Sequence, residues 1–199
     1  MGRPLNTHAT INFACTGCDP REAVKAFAKI RQNHFGKWTT RQLPPPLRHE
    51  ATGAYAFENV RDDAPFLTLQ PGDDHNVHVH WIVHLPPGCL KAFEEKLWRW
   101  VERCCNGIHD AKAIMITERP AAVMRNYVLA GCDPKWAEIY RATAQPQGMI
   151  VGGRRSGTTE NLARKRRIER DRQDKKVRPL PYQGGSKSIK THRKSALVD

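Results

Sequence analysis

The ten residues from Asn76 to Leu85, NVHVHWIVHL, constrain this chain more than any other stretch. They alternate with the period of two expected of a half-buried β-strand. Val77, Val79, Trp81, Val83 and Leu85 fall on one face, and Asn76, His78, His80, Ile82 and His84 on the other. The apolar face demands a covering layer of helix or sheet, so the segment must lie in a sheet with one side packed. Side chains two apart on a strand point the same way. His78 and His80 therefore present neighbouring imidazoles from one rigid surface. Neutral imidazole is the commonest protein metal ligand, and the same pattern also fits a solvated strand face that is rich in histidine.

The segments around this strand set the architecture. Thr7–Ala14, THATINFA, alternates as a short strand. Asp19-Pro20-Arg21-Glu22 carries an Asp cap, Pro at the first helical position and Glu in the first turn, and predicts a helix to about His34. Pro44-Pro45-Pro46 argues for a loop over 37–49. Strands are expected over Thr52–Val60, Phe66–Leu69 and Ala111–Thr117, with a turn over Gln70–His75. Leu90, Phe93, Leu97, Trp100, Val101 and Cys104 follow the helical period, so Cys89–Cys105 is expected to be a helix that covers the sheet and stops at Asn106-Gly107. Pro120–Ala130 reads as a helix with Pro at its start and Gly131 past its end, and Pro134 opens a last short helix to about Arg141. Strands interleaved with a few helices give an α+β class, with a mainly antiparallel central sheet and helices packed on it.

Charge divides the chain. Residues 152–199 hold 15 Lys+Arg against 5 Asp+Glu, and residues 1–151 hold 18 against 15. A basic end without apolar periodicity reads as a mobile tail that meets nucleic acid or simply stays solvated. The expected division is a folded domain over residues 1–144 and a basic tail over 145–199. Arg154, Arg155, Arg164, Lys165, Arg166 and Arg167 are the expected nucleic-acid contacts. No apolar run approaches 18 residues and no charged-then-apolar leader opens the chain, so no membrane contact and a cytoplasmic location are expected. Without a leader, the six cysteines are expected to be reduced thiols. A zinc site built on Cys15-Thr-Gly-Cys18 would lack a second CxxC.

The histidine pair needs a third ligand. Glu58 is the leading candidate, from the preceding strand, with small Ala56 beside it. Asp73, Asp74, His75 and Glu118 are rivals, while His84 lies too far along its strand. Two imidazoles and one carboxylate suit manganese, iron or zinc, and magnesium less naturally. Tyr127, in RNYVLAG on the helix after the last core strand, lies at the edge of a stripe formed by Met124 and Val128. It is either a core residue or a phenol that becomes a nucleophile with help from a metal or base.

A first strand HATINF, a His-Val-His strand preceded by a carboxylate strand, and a tyrosine on a later helix together resemble the HUH endonucleases over about residues 8–131. The tyrosine follows the histidines, as in single-tyrosine rolling-circle replication initiators and some small transposases. Ala130 stands where those initiators commonly place a lysine. The resemblance implies a ferredoxin-like sheet and a divalent metal, Mn2+ or Mg2+, on His78, His80 and Glu58. It further implies attack by Tyr127 on a DNA phosphate, giving a 5′-phosphotyrosyl enzyme and a free 3′-hydroxyl. The implied partners are single-stranded or hairpin DNA and a host helicase and polymerase, since no GxxxxGK motif is present. A catalytically reduced nucleic-acid-binding module, a transposase-like relative of the same fold and a regulator with a structural metal site are the competing readings.

Overall fold

Alternation becomes strand where it is strongest: β1 (Thr7–Asn12), β2 (Gly53–Asn59), β3 (Val77–Val83) and β4 (Ile114–Glu118), joined by a short β5 (Ser156–Thr158). The computed structural model describes residues 3–59, 77–119, 128–129, 137–139, 141–143, 150–163, 166 and 168–169. The strands form one sheet in the order β4-β1-β3-β2-β5, antiparallel at every junction. Among the described residues, α1 (Ala23–Lys29) and α2 (Leu90–Cys104) pack on it. The β1–α1–β2 and β3–α2–β4 connections each step over one strand. This is the interleaved split β–α–β arrangement of ferredoxin-like sheets. The α+β class with a mainly antiparallel sheet and helices packed on it is what the sequence predicts.

Both helices cover the apolar face. Phe27 of α1 meets Tyr55, Phe57 and Trp81 edge-on, with ring centroids 5.1, 5.5 and 5.3 Å apart. Phe93 of α2 packs against Phe35 and Trp81. Such edge-to-face pairs add to the stabilisation from burial, and they pin β3 from its apolar side. Its histidine face is thereby turned away from α1 and α2. α2 stops where Asn106 and Gly107 take positive φ (57° and 105°), a conformation that suits these two residues.

Two expectations need correction. Helical backbone does not end near His34 but continues to Gln42, through wide turns over Ile30–Phe35 and Trp38–Gln42. The apolar residues there are five apart, Ile30 to Phe35 and Trp38 to Leu43, and all four are buried. That spacing fails the ordinary helical period but suits turns closed by i→i+5 bonds, as when Leu43 N–H donates to the Trp38 carbonyl (3.0 Å). Pro44 then ends the helix. The second correction concerns the boundary at 145. Ser156–Thr158 belongs to the sheet as β5, paired with Ala54–Ala56, and the Phe57 N–H donates to the Arg155 carbonyl (2.7 Å). Gly157 is required there, because a Cβ would lie 2.8 Å from the Tyr55 hydroxyl. A three-residue strand with no apolar alternation carries no periodic signal in sequence.

Val128–Leu129 and Ala137–Ile139 are helical, within the two helices expected after β4. The remainder of the expected helix over 120–130, including Tyr127, lies outside the described residues, as do the expected strand over 66–69 and turn over 70–75. Among the described residues no helix is long and apolar enough to cross a membrane.

Candidate metal centre

Register decides which side chains meet on the open face of β3. His80 lies opposite Ala56 of β2 and Thr10 of β1, and His78 opposite Glu58 and Asn12. Glu58 is thus directly beside His78 and diagonal to His80, while Ala56 adds only a methyl and leaves room between them. The Glu58 Oε2 lies 3.5 Å from His78 Nε2 and 3.5 Å from His80 Nε2. One ligand atom from each residue falls within 4.8 Å of the others. Ligands held ~2.0–2.2 Å from one ion at tetrahedral or octahedral angles stand about 3.0–3.5 Å apart, and the Glu58 oxygen already stands at that spacing from both histidine nitrogens. Among the described residues these three are the group of metal-ligating side chains that converges in this way.

Burial sharpens the site. Glu58 is 4 % exposed and His80 7 %, and His78 is the most accessible of the three. Burial by itself pushes the Glu58 carboxyl up, but hydrogen bonds with His78 and His80 and their positive charge outweigh it and hold it down at about 2. The carboxylate is therefore ionised at neutral pH. Its second oxygen, Oε1, is buried and has no hydrogen-bond partner among the described residues. An anionic oxygen without a partner in a buried setting is costly. A divalent cation would offset that cost, so the donor set, its spacing and the orphaned oxygen all fit a metal.

The neighbouring strand adds two residues that the sequence analysis did not single out. His8 Nε2 lies 3.0 Å from His80 Nδ1, and Thr10 Oγ1 lies 3.2 Å from the same nitrogen. The His8 and His80 rings are near parallel (25°) with centroids 5.1 Å apart. Burial first, then the charges of His80 and Arg119, hold His8 down at about 4 against the opposing charge of Glu58. His8 and Thr10 alternate in THATIN on the face that β1 shares with the histidines, but only the β1–β3 register brings them to His80.

The other sequence candidates divide. Among the rival ligands, Glu118 is exposed at the end of the edge strand β4, opposite Thr7, and outside the cluster. Asp73, Asp74 and His75 lie outside the described residues. His84 faces elsewhere, its Nδ1 2.8 Å from the Pro4 carbonyl and its ring edge-on to His49. Arg155 is no tail residue: it sits half-buried where β5 begins, and burial lowers its guanidinium while the Glu58 charge pulls the other way. Arg154 and Arg166 are exposed, and Arg164, Lys165 and Arg167 lie outside the described residues. Val128 and Leu129 line a cavity with Ala54, Ala56, Arg155, Ser156 and Thr158. The segment next to Tyr127 thus runs beside the strand that carries Glu58. Cys15, Cys18, Cys89, Cys104 and Cys105 are free thiols.

No protein-family model matches this sequence, and no curated protein matches it.

Proposed function

We propose that the protein is a metal-dependent, site-specific DNA-nicking and strand-transfer endonuclease. In this reading it acts as a single-tyrosine initiator of rolling-circle replication on a plasmid or phage-like element. The observation that carries the reading is the convergence of Glu58, His78 and His80 on the open face of the sheet, with one buried Glu58 oxygen that has no hydrogen-bond partner among the described residues. Three ligands from two adjacent strands leave further coordination positions for a substrate oxygen. A bound Mn2+ or Mg2+ would act there as a Lewis acid on the scissile phosphate.

The chain's own residues do the rest. The two strands hold the ligands rigidly, so the phosphate is placed by the sheet rather than by a loop. Accessible His78 marks the side from which DNA approaches, and buried Glu58 and His80 form the floor. Tyr127 supplies the nucleophile: its phenol gives up its proton and its oxygen attacks phosphorus, the P–O bond to the 3′ oxygen breaks, and the departing oxygen takes up a proton to become a free 3′-hydroxyl. The 5′-phosphotyrosyl bond conserves the energy of the broken link, so the strand can be rejoined. Polymerase extension of the 3′-hydroxyl, and a helicase partner for unwinding, follow from those products. Val128, the next residue along, lines the cavity beside Ala56, which supports this assignment of Tyr127.

The test is a covalent adduct. With Mn2+ and single-stranded or hairpin DNA, a slower band on a denaturing gel should appear for the wild type and vanish for Tyr127→Phe, whose DNA affinity should be unchanged. An adduct that persists in Tyr127→Phe would displace the nucleophile to another residue. DNA binding with no adduct under any divalent metal would support a nucleic-acid-binding module in place of the enzyme.

A further inference from the structure

We infer that His8 is the positioning residue that presets His80 as a metal ligand, an inference that rests on the metal reading of the Glu58–His78–His80 site. A neutral imidazole has one protonated and one bare nitrogen. For His80 to offer Nε2, the nitrogen 3.5 Å from Glu58 Oε2, its proton must sit on Nδ1. That N–H needs an acceptor, because both rings are buried. On the β2 side His80 faces Ala56, which has no polar side-chain atom. The β1 side supplies what is missing: His8 Nε2 at 3.0 Å and Thr10 Oγ1 at 3.2 Å from His80 Nδ1. The Thr10 hydroxyl is also 3.4 Å from His8 Nε2, so the three groups close a small hydrogen-bonded ring beneath the ligand.

The arrangement fixes two variables at once. Acceptance by His8 Nε2 selects the His80 tautomer whose Nε2 lone pair is free. The near-parallel packing of the rings, at 5.1 Å between centroids, limits rotation of the His80 imidazole about its Cβ–Cγ bond. Outer-shell partners of this kind orient a metal-bound histidine and raise its basicity, and their loss typically costs about 10- to 100-fold in metal affinity. His8 thereby gives β1, the strand on the far side of β3 from Glu58, a part in a centre whose ligands all come from β2 and β3.

The experiment uses the full chain and Zn2+ as a diamagnetic probe. Long-range proton–nitrogen correlation on the Zn2+-loaded wild type should show His80 protonated at Nδ1 and His8 neutral with a bare Nε2. Calorimetric titration should show Zn2+ affinity falling about 10- to 100-fold in His8→Leu and largely regained in His8→Gln, which keeps an acceptor. A protonated His8 Nε2 in the loaded wild type, or equal affinity in wild type and His8→Leu, would overturn the role of His8 and leave the metal centre standing. Failure of the wild type to bind Zn2+ at all would overturn the metal reading itself. The tautomer measurement needs no variant, so it decides the matter even where His8→Leu does not fold.

Discussion

Acidifying the metal-free protein from about pH 7.5 to about pH 5 should cost it about 2 kcal/mol of stability through His8 alone. His8 is 5 % exposed, and its imidazole is held down to about 4 from the ordinary 6.5, by burial first and then by the charges of His80 and Arg119. Between those two values the unfolded chain binds a proton that the folded chain refuses, so stability falls as pH falls. The contribution is fully present above pH 6.5 and is lost by about pH 4. The whole interval of 2.5 units is worth roughly 3.4 kcal/mol at ~1.36 kcal/mol per unit, and about 2 kcal/mol of it is spent by pH 5. Glu58 extends the loss to lower pH. Its carboxyl is held at about 2 against an ordinary 4.5, so its stabilisation is present above 4.5 and disappears as pH falls through about 2. Urea unfolding in the presence of a chelator, at both pH values, would measure the step in wild type and in His8→Gln. His34 and His49 are also lowered by burial and titrate in both proteins, so the difference between the two steps isolates His8. An equal pH step in both would show that His8 does not carry the pH dependence.

Two further outcomes follow from the chain's ends and its thiols. Deleting residues 170–199, which hold nine Lys+Arg against three Asp+Glu, should leave the fold intact. DNA affinity should then drop about tenfold or more at low salt, with a shallower salt slope, because fewer phosphates are neutralised. An unchanged slope in a filter-binding titration would remove that segment from the DNA contact. A deletion starting at 152 should instead destabilise the sheet by removing β5 and the Arg155 carbonyl that Phe57 N–H uses. Alkylation at neutral pH, followed by peptide mass spectrometry, should reach half-buried Cys15 well before Cys105. The Cys105 thiol is pushed up by its hydrogen bond with Cys18 and by burial, and early labelling there would contradict that burial.

The parts of the fold that were legible in sequence are those with a strong period. The alternation of NVHVHWIVHL yields β3 to within one residue at its start and two at its end, and the 3.6-residue stripe of Leu90, Phe93, Leu97, Trp100 and Val101 yields α2. Glu58 was legible as a candidate ligand because a period-two strand with small Ala56 beside it narrows the choice of face. Pairing register was not legible, since it depends on which strands become neighbours. Only the β1–β3 register His80↔Thr10 brings His8 and Thr10 to His80. The wide helical turns from Ile30 to Gln42 escaped because a spacing of five breaks the usual helical pattern. β5 escaped because Ser156-Gly157-Thr158 offers the sheet backbone hydrogen bonds rather than apolar surface.

Everything proposed for this protein requires that Glu58, His78 and His80 hold one divalent ion. Anomalous diffraction from crystals soaked in Mn2+ tests it most directly. A single strong peak is expected on the open face of the sheet, about 2.0–2.2 Å from His78 Nε2, His80 Nε2 and a Glu58 carboxylate oxygen. A peak elsewhere, or none at saturating Mn2+ with the three side chains ordered, would contradict it.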